Sequence, residues 1–362
     1  MSAGQWRRRW FQIHKWIGLI LAILIVPLSL SGAALVWHDG LDRIVNPARY
    51  QTSGEALLAP GAYAAAAQAA VKPGERIAQI GLPEGDGPVT VAAVPPDAQP
   101  ARRGPPLRDI VYLDPPTARV LDVAPGNAGL VRVLHRLHGS LLLPGVGRSI
   151  VGWIGVAMLV SSLTGLWLWW PTVGSWRKGL RWRRHRNTDT NLHHMAGFWI
   201  ALPLFVLSLT GVWISFPGVF GGRDAGPQRG PDRAAMMRAL PLAAPAQPVD
   251  AVLARAAAVV RGPFRSIAWP TTLSADWTVS FADGRQVKVA DDGGVAVAVA
   301  ARRPGGAARW MRRIHDGEGM GGVWQLVIFA GGILPAVLAV TGIIMWWRAR
   351  GWRAKVQAKR GA

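Results

Sequence analysis

Four uncharged apolar runs, at 17–36, 150–170, 195–216 and 323–347, are each long enough to cross a bilayer as a helix. Hydrocarbon offers no hydrogen-bond partners, so a spanning segment must satisfy its own backbone, and a helix does so. The chain is therefore expected to be an α-helical membrane protein with four transmembrane helices, solvated by the lipid bilayer. Arg7-Arg8-Arg9 ahead of the first run and Ser31-Gly32-Ala33-Ala34 inside it could suggest a cleaved signal peptide. The apolar core is longer than a signal core, however, and a twin lies mid-chain at 195–216, so a retained span is expected.

Charge sets the orientation. The sequence has 41 Lys and Arg against 20 Asp and Glu, a net +21. The cations gather at 7–15, 177–186 and 348–360, which fall on one side of the membrane if the chain crosses four times. The positive-inside rule then puts both termini and the 171–191 loop in the cytoplasm. Cations that hug span ends are not a nucleic-acid footprint, and no nucleic-acid partner is expected. Cysteine is absent, which removes disulfides, thiolate ligands, iron–sulfur clusters and covalently attached haem. Metal chemistry must use His, carboxylates or Met.

The sequence also repeats itself. His14 and Gly18 recur 179 positions on as His193 and Gly197, and Ser31-Gly32 recurs at the same offset as Thr210-Gly211. Arg136-Leu137-His138 recurs 177 positions on as Arg313-Ile314-His315, as do Thr164-Gly165 as Thr341-Gly342 and Trp169-Trp170 as Trp346-Trp347. A duplication that preserves histidine while apolar residues drift predicts two pseudo-symmetric halves that bring their imidazoles together in pairs. Two bis-histidine haem b groups are the expected cofactors.

Histidine at or inside a span is expensive without a partner, which makes each one a functional candidate. His14 and His193 open spans from the cytoplasmic side, each with a glycine one turn later on the same face, as a flat macrocycle between helices requires. His194 points about 100° away around the helix and is the alternative to His193. His138 and His315 precede the second and fourth spans on the opposite side. The segment 131–142 carries Val131, Leu134, Leu137 and Leu141 at helical spacing with Arg132 and Arg136 between them, and Arg313 takes the corresponding place near His315. These read as interfacial amphipathic segments whose arginines suit haem propionates or lipid headgroups. His38 lies about 36 Å of helix from His14, so the two cannot share an iron. It is expected to be interfacial or a contact near the outer haem. His185 is expected to be solvated, and the Trp residues at span ends to form aromatic belts.

Two extracytoplasmic segments remain, 39–146 and 217–322. The first reads as a helix at 62–71 and strands at 76–82, 89–94, 109–113 and 118–123. The second reads as a helix at 249–260 and strands at 264–269, 277–281, 285–289 and 295–300. Each is expected to be a small α+β unit, with Pro/Gly-rich connectors at 95–106 and 218–231.

His14-Lys-Trp-Ile-Gly18 leading into Leu28-Ser-Leu-Ser-Gly32 resembles the PepSY-associated transmembrane family of bacterial inner-membrane proteins, which includes siderophore-iron reductases. So do His193-His-Met-Ala-Gly197 leading into Leu207-Ser-Leu-Thr-Gly211, and Leu134-His-Arg-Leu-His138 ahead of Thr164-Gly165. The fourth segment, Arg313-Ile-His-Asp-Gly317, lacks the double histidine of 134–138, which argues against His135 as an axial ligand.

The resemblance divides the chain into residues 1–38 (first span), 39–146 (PepSY-like module), 147–171 (second span), 172–191 (basic loop), 192–216 (third span), 217–322 (second module), 323–347 (fourth span) and 348–362 (basic tail). It also implies an acceptor, a periplasmic ferric siderophore. The sequence has no dinucleotide-binding, phosphate-loop, metalloprotease or nucleophile motif, so no catalytic acid or nucleophile is expected. Electrons must then come from a cytoplasmic or quinol donor. The alternatives are a dihaem cytochrome that exchanges electrons with quinol or a partner protein, and a non-enzymatic PepSY-type regulatory or binding protein.

Overall fold

The computed structural model describes residues 3–83, 85–96, 108–126, 128–173, 185–220, 239–299 and 306–360. Residues 174–184 of the basic loop expected at 172–191, and most of the connectors expected at 95–106 and 218–231, lie outside them. In chain order the elements begin with α1 (Ala3–Leu35), α2 (His38–Val45) and α3 (Pro60–Ala70). Strands β1 (Arg76–Gly81), β2 (Val89–Val94), β3 (Asp109–Leu113) and β4 (Val120–Pro125) follow, then α4 (Leu130–Ser140), α5 (Gly147–Val173) and α6 (Thr188–Ser215). After α7 (Val249–Val259) come β5 (Phe264–Ala268), β6 (Asp276–Phe281), β7 (Gln286–Ala290) and β8 (Ala296–Val299), and the chain ends with α8 (Gly306–Asp316) and α9 (Gly322–Arg360). Two compact units result. One is built on the described residues of Met1–Leu41, Val131–Gly226 and Gly305–Ala362, the other on those of Asp42–Leu130 and Pro227–Pro304.

In the first unit, α1, α5, α6 and α9 each contain a stretch long and apolar enough to cross a membrane. Helix α1 packs on α5 and α9, and α6 packs on the same two, so the four close into a ring with α1 opposite α6. Their outward faces carry exposed Ile20, Ile23, Leu202 and Val323, apolar side chains that suit hydrocarbon rather than water. Between helices the contact is made by small residues, because lipid provides no hydrophobic drive and close approach must supply dispersion instead. Gly332 of α9 lies against Ala33 and Ser29 of α1, and Gly152 and Gly155 of α5 lie against α6 at Phe216 and Val212.

The second unit is a single eight-stranded antiparallel sheet of order β4-β3-β2-β1-β5-β6-β7-β8. Alternation drives each strand: Trp277, Val279 and Phe281 of β6 point into the core, while Asp276, Thr278 and Ser280 are half-exposed. Helix α3 covers Ile80, Val91, Val111 and Leu113, and α7 covers Ile267, Val279 and Val289. The two sets of strands expected as separate units are joined. Strand β1 pairs with β5 through Gln79 with Ala268, Ile80 with Ile267 and Gly81 with Ser266. Pairing these strands removes two exposed edges.

The tight α1–α9 contact is testable. In Gly332→Val the new Cβ would sit 2.6 Å from the Ala33 Cβ and 2.7 Å from the Ser29 carbonyl oxygen. Thermal unfolding in detergent should show a loss of about 1–3 kcal/mol. Gly18→Ala, where a Cβ meets nothing within 4 Å, should leave the transition unmoved.

Candidate functional site

Four histidines of the helical unit rest in seats of one kind. His14 of α1 lies against Gly165 of α5, with its Nδ1 3.1 Å from Thr164 Oγ1. His193 of α6 lies against Gly342 of α9, with its Nδ1 2.9 Å from Thr341 Oγ1. His315 of α8 lies against Gly211 of α6, its Nδ1 3.0 Å from Thr210 Oγ1 and 3.1 Å from the Leu207 carbonyl. His138 of α4 lies against Gly32 of α1, its Nδ1 2.8 Å from the Leu28 carbonyl. At Gly32, Gly165 and Gly211 an added Cβ would come within 2.6–3.1 Å of the imidazole edge and displace it, whereas at Gly342 it would meet the ring at an ordinary 3.6 Å.

The hydrogen bonds fix the tautomer. Thr164, Thr341 and Thr210 each donate their hydroxyl proton to the carbonyl four residues back, at 2.8, 2.7 and 2.9 Å. Their oxygens are thereby left to accept from an imidazole N–H. A carbonyl such as Leu28 can only accept. All four rings therefore carry the proton on Nδ1, and Nε2, which makes no hydrogen bond among the described residues, presents a lone pair. A buried acceptor on one ring nitrogen is the arrangement that orients a metal-ligating imidazole.

These seats come in pairs. His138 and His315 are 6.0 Å apart between ring centroids, tilted by 40°. Metal–imidazole bonds of about 2.0–2.1 Å on each side of one ion would put the centroids about 6 Å apart, so one metal atom fits between them. Burial, reinforced at His138 by His135 and at His315 by His138, favours the neutral ligand form: the His138 pKa falls below its usual value, and that of His315 falls to about 4. His14 and His193 line a shared cavity of ≈ 1110 Å³ and lie within electrostatic reach of one another. That volume exceeds the roughly 300–1,000 Å³ of common small-molecule sites. Gly18 and Gly197 line it as well, and a Cβ on Gly18 would meet only open space. Arg7, Arg8, Lys15 and Arg350 add positive charge to a mostly apolar wall that also carries Gln12, Ser161 and Ser162. On α1, about 21 Å of helix separates His14 from Leu28, the seat of His138, so the two pairs occupy different levels of the bundle.

Residues 11–349 match the model of the PepSY-associated TM region. The chain belongs to that family. No curated protein matches it. The family match and the four apolar helices make it a membrane protein.

The remaining candidates of this PepSY-associated protein fall elsewhere. His194 lines the cavity, but its ring meets His185 edge-on at 4.7 Å. Asn191 bonds the backbone of His185 at both N–H and C=O, so His185 is part of a folded turn. His135 faces His38 at 5.8 Å between centroids, outside the outer pair. Arg136 is exposed on α4. Arg313 donates to the Glu318 and Gly319 carbonyls at 3.2 and 3.0 Å and lies over the Trp310 ring, so it braces the loop between α8 and α9.

The seats themselves escaped the sequence reading, though the signal was present. Leu28-Ser-Leu-Ser-Gly32, Ser161-Ser-Leu-Thr-Gly165, Leu207-Ser-Leu-Thr-Gly211 and Leu338-Ala-Val-Thr-Gly342 are one pattern, used once in each of the four long helices.

His315 gives a pH prediction. A folded-state pKa of about 4 against an ordinary 6.5 means that the unfolded chain binds the proton first as pH falls. The contribution to stability is complete above about pH 6.5 and is lost progressively down to about pH 4. In ligand-free protein this amounts to about 3 kcal/mol. Melting curves of wild type and His315→Gln should therefore diverge in pH dependence within that window, with the wild type losing more on acidification.

Proposed function

We propose that the protein is a haem-carrying oxidoreductase of the bacterial inner membrane that moves electrons across the bilayer and reduces a periplasmic ferric siderophore, releasing ferrous iron. The observation that supports this most is the set of four like-seated imidazoles, two of them 6.0 Å apart with free Nε2 atoms. Two b-type haems suit this donor set. Among the described residues no group of three or more His, Cys, Asp or Glu could enclose an ion, whereas a macrocycle needs only two protein ligands.

His14 and His193 would hold one haem, and His138 and His315 the other. Bound haem supplies reversible one-electron transfer at iron. The protein's own residues do the rest. The Nδ1–H donated to threonine or carbonyl oxygen fixes each ring and raises its basicity. Gly18 and Gly197 keep the inner cavity wide, and Arg7, Arg8 and Arg350 suit carboxylate groups at its wall. Arg136 stands ready for the same role at the outer pair, while Arg313 acts through the loop it braces.

The offsets of 179 and 177 support an arrangement of two pseudo-symmetric halves. The helix-plus-four-strand composition of each segment supports reading them as PepSY-like modules outside the cytoplasm. Basic clusters at 7–15, 177–186 and 348–360 support cytoplasmic termini. Electrons then enter near His14 and His193 from a cytoplasmic or quinol donor and leave near His138 and His315. The ferric ion of the substrate accepts one electron, and the resulting ferrous ion, with its lower charge, is held less strongly by the chelator's anionic oxygens.

Absorption spectra before and after dithionite test the cofactor. Haem-replete protein should show Soret and α bands, and a colourless protein would favour a non-enzymatic binding role. His138→Ala, and equally Gly32→Leu, should remove about half the haem per chain, as should Gly18→Leu, which fills the inner cavity. Loss of all haem from one substitution would contradict the pairing. Ferric siderophore and a ferrous-specific chelator then test the acceptor: no ferrous iron released by reduced protein would leave a cytochrome serving another partner.

A further inference from the structure

Helix α4 carries a second imidazole one turn before His138. His135 does not join the outer pair but turns to His38, the first residue of α2, with ring centroids 5.8 Å apart and planes at 56°. Both rings are exposed, and both are anchored through Nδ1. His135 Nδ1 is 3.0 Å from the Val131 carbonyl, and His38 Nδ1 is 2.9 Å from the Asp39 carboxylate. The acceptors again hold the proton on Nδ1 and leave Nε2 as the donor atom. An imidazole backed by a carboxylate or carbonyl is the usual form of a metal-ligating histidine. The 5.8 Å spacing is that of two rings sharing one ion. Asp316 lies within electrostatic reach of both His38 and His135, with Arg312 as its own partner at 3.9 Å.

We infer that His38 and His135 form an additional metal site, an open two-imidazole site for a divalent first-row transition-metal ion. Imidazole nitrogen suits Fe²⁺, Ni²⁺, Cu²⁺ and Zn²⁺. Among the described residues no third His, Cys, Asp or Glu closes the coordination sphere, so water or a ligand carried by the ion completes it. Such a site holds its ion loosely and exchanges it. Three residues of helix, about 4.5 Å of rise, separate His135 from His138. Binding at this site does not depend on haem. Only its use, taking up the ferrous ion released beside the outer pair, rests on the reading proposed above.

The test is titration of the purified full-length protein with Ni²⁺ and Cu²⁺ by calorimetry, together with the electron paramagnetic resonance spectrum of bound Cu²⁺. One equivalent should bind, Cu²⁺ more tightly than Ni²⁺, with hyperfine structure from two imidazole nitrogens. His38→Gln and His135→Gln should each weaken binding at least tenfold, and the double variant should behave like either single one. Asp39→Asn, at a solvent-exposed position that leaves both ligands intact, should weaken it about tenfold by releasing the ring. The Soret band of each variant reports the haem sites separately. Metal binding lost with the band unchanged supports the additional site, whereas affinity that none of the three substitutions moves would overturn it.

Discussion

An imidazole N–H held among apolar helices must find an oxygen, and in this bundle the oxygens that accept it belong to neighbouring helices. Leaving the group unpaired would cost several kcal/mol. Making the bond brings the edge of the ring close to another helix's backbone, where a Cβ would crowd it at Gly32, Gly165 and Gly211. Gly32, Gly165 and Gly211 are thus as much a part of the site as the histidines they face. The same contacts set the spacing of the bundle. His14 ties α1 to α5, His193 ties α6 to α9, His138 ties α4 to α1, and His315 ties α8 to α6. Satisfying one ring nitrogen in this way leaves the other without a hydrogen bond among the described residues, and that is the property a ligand can use.

Much of this was legible in the sequence because both signals are periodic. Apolar runs free of charge give helices in hydrocarbon, and the alternation at Trp277, Val279 and Phe281 gives a strand whichever sheet receives it. Helix ends were less legible. Helix α1 begins at Ala3 and α9 continues to Arg360, because Arg- and Lys-rich segments favour helix beyond the apolar core and hydropathy alone stops at the membrane. The repeat offsets singled out His14, His193, His138 and His315, but not what each would touch. Thr164 and Thr341 were visible as repeated residues, and their role emerged only when α5 and α9 were seen to lie beside the histidine-bearing helices. The partnership of His38 with His135 has no periodicity at all, since it joins two short helices distant in sequence.

The sheet shows the same boundary between local and non-local information. Each strand is encoded by its own alternation, but the β1–β5 pairing that fuses eight strands depends on two edges meeting. Burial behind the sheet adds a constraint of its own. Asp114 follows β3 and accepts hydrogen bonds from the backbone and hydroxyl of Ser53, while Asp291 follows β7 and accepts from Ala246, Gln247 and the Trp277 indole. Both carboxylates are buried, and both fasten the segment that leads towards the covering helix. Their separation is again 177 positions, from 114 to 291, so the repeat that organises the histidines extends into the sheet.

Helix geometry explains how α4 can serve two neighbouring pairs at once. Residues three apart differ by about 60° around a helix, enough for His138 to turn towards α1 and His315 while His135 faces α2 and solvent. On α8 the adjacent His315 and Asp316 differ by about 100°, so the imidazole enters the bundle and the carboxylate remains near the outer rings. A fully buried helix could not divide its side chains in this way. Helices α4 and α8 can because each is short and amphipathic and offers one edge to the spans and the other to water. The amphipathic pattern that reads as a lipid-surface helix in the sequence is therefore also what sets His138 within one turn of the His38–His135 pair.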